Sequence, residues 1–170
     1  MDSAPSNDSA RPPRLPEEPP CLNAPENTSH LPAAGERGRV LIVDDDTTQQ
    51  MLSRLQLKRL GCAATTASSG EEAVAHFESA AQANNPAPFD LVLMDLIMQG
   101  MDGLAACRAI RKLYPRQHLV IVSGYTPGAH AEEIARLGII WLVKPYTIAE
   151  LANTVRAIIQ TPPPHPATQP

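Results

Sequence analysis

Cysteine is scarce in this chain. The three present, Cys21, Cys62 and Cys107, are odd in number and share no CxxC or Cys/His spacing. That pattern argues against a disulfide framework and against a zinc site, and a reducing cytoplasm is the expected compartment. An excess of positive charge is missing as well: residues 39–160 hold 11 Lys+Arg against 12 Asp+Glu, and the flanks hold three against six. Binding to a nucleic-acid backbone normally needs a basic stripe, so no nucleic-acid partner is expected. Long apolar runs are absent too. None reaches the roughly 18 residues of a membrane span, and the opening MDSAPSNDSARPP has no basic segment followed by an apolar one. Neither a secretory signal nor a membrane anchor is read from it. Aromatic residues are 4% of the chain, with Trp141 the single tryptophan.

Proline is plentiful but unevenly placed. Of 18 prolines, eight lie in residues 1–38 and five in 161–170. Such segments, poor in branched and aromatic side chains, cannot offset the entropy of ordering. Residues 39–160 are therefore read as one folded unit between two disordered proline-rich tails, 1–38 and 161–170. About 120 residues can bury a core without staples.

Inside that unit short apolar runs alternate with longer helical patterns, the mark of βα units and a parallel sheet. Residues 40–43, VLIV, form an uninterrupted branched run of the kind buried on both faces, and it ends in Asp44, Asp45 and Asp46. A helix is expected over 47–60, with Met51, Leu52 and Leu55 as its apolar stripe, Arg54 and Lys58 in water, and Gly61 as its stop. A strand over 62–66 follows, then a helix capped by Ser69 and running to about residue 81. Strands over 91–94, 119–122 and 139–143 alternate with helices over 104–113, 128–137 and the stripe Ile148, Leu151, Ala152, Val155, Ile158, Ile159. Five strands and five helices in strict alternation define an α/β fold.

Asp44, Asp45, Asp95, Ser123 and Lys144 all stand at the carboxyl ends of expected strands. In an open parallel sheet those ends share one edge, where ligands bind. Clustered carboxylates repel unless a cation or a shifted pKa neutralises them. A hard divalent ion ligated only by oxygen, as Mg²⁺ prefers, is the simplest remedy. Ser123 and Lys144 would then donate to anionic oxygens. Asp46, directly before a helix, reads as an N-cap rather than a ligand. The five histidines are scattered and receive no role.

The motifs VLIVDDD (40–46), DLVLMDLIMQGMDG (90–103), VIVSGY (120–125) and WLVKPY (141–146) together resemble the receiver domain of two-component response regulators, over essentially all of residues 39–160. The resemblance implies a doubly wound, flavodoxin-like five-stranded parallel sheet of order 2-1-3-4-5. It implies Mg²⁺ held by Asp44, Asp45, Asp95 and the backbone carbonyl of Ile97, and a phosphoryl group accepted by Asp95 from a phosphohistidine. Ser123 and Lys144 would bind the phosphoryl oxygens, Lys144-Pro145 would be a cis peptide, and Ser123 with Trp141 would form the switch. The donor would be a sensor histidine kinase or a histidine phosphotransfer protein. The chain departs from the family at Gln99, where proline is usual, which is expected to loosen the loop, and at Trp141, where Tyr or Phe is common.

The expectation is a stand-alone signalling module rather than an enzyme, because TPPPHPATQP after Gln160 is too short for an output domain. Its output would be an altered binding surface or a phosphoryl relay. A competing reading takes Asp44 to Thr48 as a DxDxT motif, which resembles haloacid-dehalogenase-like phosphatases with Asp44 as nucleophile. Against it, the helix starts at once after Asp46 and leaves no room for a cap insertion, and Asp95 and Lys144-Pro145 stay unexplained.

Overall fold

The computed structural model describes residues 38–159. The expected tails therefore lie outside the described residues, but for Gly38. The order is β1 (Arg39–Val43), α1 (Thr47–Arg59), β2 (Ala63–Ala67), α2 (Gly70–Gln82), β3 (Leu91–Asp95), α3 (Gly103–Leu113), β4 (Leu119–Ser123), α4 (Ala131–Arg136), β5 (Ile140–Val143) and α5 (Ile148–Ile159). All neighbouring strands are parallel, in the order β2-β1-β3-β4-β5. The expected five-stranded, doubly wound α/β sheet is present.

Alternate residues of a strand face opposite sides, so the uninterrupted runs in β1, β3 and β4 feed two cores. Leu41, Val43, Val92, Met94, Leu119 and Ile121 pack with Phe77 of α2, with Leu104 and Ile110 of α3 and with Ile134 of α4. Val40, Ile42, Leu91, Leu93, Val120 and Val122 pack with Leu57 of α1 and with Leu151, Val155 and Ile158 of α5. The central strands are thus covered on both faces, which is why their sequences do not alternate.

Helix α1 departs from the stripe read in the sequence. Met51, Leu52 and Leu55 are 66%, 50% and 51% exposed, and the face turned to the sheet carries Ser53 and Leu57 instead. The reason is tertiary: Leu57 is fully buried in the core under the sheet, and beside it the Ser53 hydroxyl lies 3.2 Å from that of Tyr146, in the segment before α5. Arg54 and Lys58 are exposed as expected. The helix expected over 128–137 is also split, into a 3₁₀ turn at Gly128–His130 and the six-residue α4. Ile148 of the expected α5 stripe is 39% exposed. Gly61, the expected stop of α1, and Gly138, shortly after α4, are both left-handed, with φ of 77° and 62°.

One close approach decides where β3 ends. Gly103, the first residue of α3, is buried against β3, and its N–H donates to the Leu96 carbonyl at 2.9 Å. A Cβ there would collide with the carbonyl oxygen of Asp95. Gly103→Ala is expected to cost about 3 kcal/mol or more, since neither backbone can yield freely. Urea unfolding of the two proteins measures it.

Candidate functional site

Parallel register brings four strand ends to one edge. Asp44 follows β1, Asp95 closes β3, Ser123 closes β4 and Lys144 follows β5. The Lys144 N–H donates to the Ser123 carbonyl at 2.8 Å, and the Leu96 N–H to the Val122 carbonyl at 3.2 Å, so the ends are tied at the backbone. Lys144 and Pro145 are joined by a cis peptide bond, as the resemblance implied.

Three carboxylates gather here, with oxygens of Asp44, Asp45 and Asp95 all within 4.8 Å of one another. The Lys144 ammonium lies between two of them, donating to Asp95 Oδ1 at 2.8 Å and to Asp44 Oδ2 at 3.2 Å. Asp44 is buried and Asp45 exposed. Burial raises the Asp95 pKa above the ordinary carboxylate value, opposed by the hydrogen bond and charge of Lys144 and assisted by the charges of Asp44 and Asp45. For Lys144 burial works downward, but the hydrogen bond and charge of Asp95 and the contribution of Asp44 outweigh it, and its pKa is raised. An all-oxygen set with surplus negative charge fits a hard divalent cation such as Mg²⁺. Lys144 alone leaves that charge only partly balanced.

The other expected site residues fall around this centre. The Ser123 hydroxyl accepts from the Tyr125 N–H at 3.1 Å, and the Tyr125 carbonyl accepts from Trp141 Nε1–H at 3.0 Å. The main chain of Tyr125 thus links the two residues expected to switch. The side chains of Ile97 and Tyr125 are 62% and 68% exposed. Asp46 is the N-cap of α1, its Oδ1 accepting from Thr48 N–H at 2.7 Å and from Gln49 N–H at 3.4 Å. That engagement, with α1 starting at Thr47, removes the second aspartate of the phosphatase reading.

Sequence reading missed the supports. The Gln50 amide donates to the Asp44 carbonyl at 2.6 Å and to that of Ala67 at 3.2 Å. Gln99, expected to loosen its loop, instead donates its N–H to Asp45 Oδ2 at 3.2 Å, and the Met101 N–H donates to Glu71 Oε1 at 2.9 Å. A proline has no N–H to offer, and the departure at residue 99 was the available signal.

An acidic, lysine-bearing site at the carboxyl edge of a 2-1-3-4-5 sheet defines a class of phosphate-handling signalling modules. The chain belongs to the response regulator receiver domain family, whose model matches residues 40–156. It is 32% identical over 124 residues to the sensor kinase CckA of Brucella abortus (strain 2308), covering 71% of this chain and 12% of that protein. It is 29% identical over 122 residues to the transcriptional regulatory protein ResD of Bacillus subtilis (strain 168), covering 72% and 48%. The chain thus spans less than half the length of these curated relatives. Among solved structures it resembles the receiver domain of the histidine kinase CKI1 from Arabidopsis thaliana complexed with Mg²⁺ and BeF₃⁻. That likeness has a TM-score of 0.62 and 31% identity, and covers 73% of this chain and 91% of the other. No helix among the described residues is long and apolar enough to cross a membrane.

A stability prediction follows from Asp95. Its native pKa is raised, so the native state holds a proton that the unfolded chain has released, and stability falls as pH rises from the unfolded value toward the native one. Without divalent metal, Asp95→Asn is expected to raise the Tm at neutral pH, with the gain shrinking as pH falls below the unfolded carboxylate pKa. Melting curves in chelator across that range check the sign.

Proposed function

We propose that this chain works as a response regulator, phosphorylated on Asp95 by a histidine kinase or a histidine phosphotransfer protein in the cytoplasm. The observation that carries this reading is the Lys144 ammonium placed 2.8 Å from a largely buried Asp95 and beside Asp44. Asp44, Asp45, Asp95 and the Ile97 carbonyl would hold Mg²⁺. When bound, that ion supplies charge neutralisation for a transferring phosphoryl group.

The chain's own residues do the rest. A carboxylate oxygen of Asp95 attacks phosphorus in line. The N–P bond to the donor histidine breaks, the electron pair leaves with the ring nitrogen, and an acyl phosphate forms. Lys144 turns from the Asp95 carboxylate to the phosphoryl oxygens, where a cation is worth most against the spreading charge. Ser123 has its hydroxyl at the same edge, and swinging it to donate to the phosphoryl group would release the Tyr125 N–H. Because Tyr125 also holds the Trp141 indole, that release reaches β5. The altered surface, or onward transfer to a second histidine, is the output. No second reading is favoured, since Asp46 is occupied as a cap.

Incubation with acetyl phosphate and Mg²⁺ should label the wild type with an alkali-labile group, and Asp95→Asn should reduce the label to background. Beryllofluoride with Mg²⁺ should change the emission of the sole tryptophan in wild type alone. Undiminished labelling of Asp95→Asn would falsify the assignment.

The phosphorylated state should also be long-lived. Fast hydrolysis needs a polar side chain that orients water for in-line attack. Ile97 stands two residues after Asp95 and Tyr125 two after Ser123, and the Ile97 side chain has no donor or acceptor to offer. Loss of label should be roughly tenfold faster in the Ile97→Asn, Tyr125→Glu double variant, well within what a positioned polar group contributes. Equal decay rates would sink the slow-decay claim.

A further inference from the structure

Asp45 is the exposed member of the acidic cluster. Asp44 is held on two sides, by the Asp46 N–H at 2.9 Å and by the Lys144 ammonium at 3.2 Å, and Asp95 is held by Lys144. Among the described residues, the donor that reaches the Asp45 carboxylate is the main-chain N–H of Gln99, 3.2 Å from Oδ2. We propose that this N–H is a positioning donor: it fixes the Asp45 carboxylate beside Asp44 and Asp95, and so tightens divalent-cation binding.

The placement of that N–H is imposed by its surroundings. On one side Met98 is buried in the core, 8% exposed. On the other, Gly100 turns with φ of 80°, and a Cβ on it would press on Glu71 Oε1 at 2.9 Å. Glu71 itself holds the Met101 N–H, and Gly103 N–H is bonded to the Leu96 carbonyl. Gln99 therefore sits between anchored points, and its amide is aimed by the turn rather than by its side chain. Any residue but proline would present the same N–H. The hydrogen bond also joins the loop bearing the Ile97 carbonyl to the end of β1, so two groups proposed to face the cation are held in one frame. Partners of metal-ligating carboxylates commonly govern affinity in this way.

The inference rests on the reading that the acidic cluster holds Mg²⁺, and the experiment separates the two. Mg²⁺ alone is titrated by calorimetry into the full chain and into Asp45→Ala, Gln99→Ala and Gln99→Pro, with melting curves to establish folding. Gln99→Ala should bind as wild type and Gln99→Pro about tenfold more weakly. Should wild type fail to bind, or Asp45→Ala bind as well as wild type, the cation reading itself fails. If those two behave as expected but Gln99→Pro binds as tightly as wild type, or Gln99→Ala weakens as much as Gln99→Pro, only the present inference is overturned. A metal-free measurement stands beside this and decides alone if Gln99→Pro does not fold. In Asp45→Ala the amide hydrogen of Gln99 should exchange at least about fivefold faster while that of Met101, held by Glu71, keeps its rate. Unchanged Gln99 exchange overturns the proposal.

Discussion

Three carboxylates and one ammonium at a sheet edge are the interaction on which the rest of this structure depends. Like charges this close are tolerated only because Lys144 answers two of them and solvent reaches the third. The balance is incomplete, and the raised pKa of Asp95 is its physical trace. A site left with uncompensated negative charge attracts a hard cation. In the proposed function, a bound cation would let a phosphoryl group approach a carboxylate that would otherwise repel it. Stability is given up at the same residue where the proposed function needs reactivity.

Holding such a cluster demands a rigid frame, and the frame is the doubly covered sheet. Leu41 and Val43 bind one face of β1 to the core, Val40 and Ile42 the other. The end of β1 therefore cannot tilt without disturbing both layers. Gly103 lets α3 start in contact with the end of β3, and the Lys144 and Leu96 N–H bonds tie β5 and β3 to β4. The loops are pinned by burial of Met98 in the core and by single hydrogen bonds from Gln99, Met101 and Tyr125. Such bonds, each worth about 1 kcal/mol, can be exchanged during function without loss of the fold.

In the proposed function, coupling from site to surface would run through the main chain of a single residue, Tyr125. The Tyr125 N–H is held by Ser123 and its carbonyl by Trp141. A tryptophan at this position brings an indole N–H that a phenylalanine lacks, so the departure from the common residue adds a bond to the resting arrangement. Movement at Ser123 in the proposed switch would need no long chain of contacts to reach Trp141.

By itself the sequence determined the alternation of strands and helices, the residues at the strand ends and the Asp46 cap, because local pattern and turn chemistry act over a few residues and are written there. The order of the strands was legible only through resemblance. Tertiary structure decided what depends on pairs far apart in the chain: which face of α1 is buried, where Leu57 and the Ser53 contact to Tyr146 lie inward and the stripe of Met51, Leu52 and Leu55 faces out. It also decided that the loop expected to be loosened by Gln99 is tied by it, through a partner 54 residues away. Periodicity reports the spacing of apolar side chains along one element. It carries no information about which neighbour, apolar or polar, that element will meet.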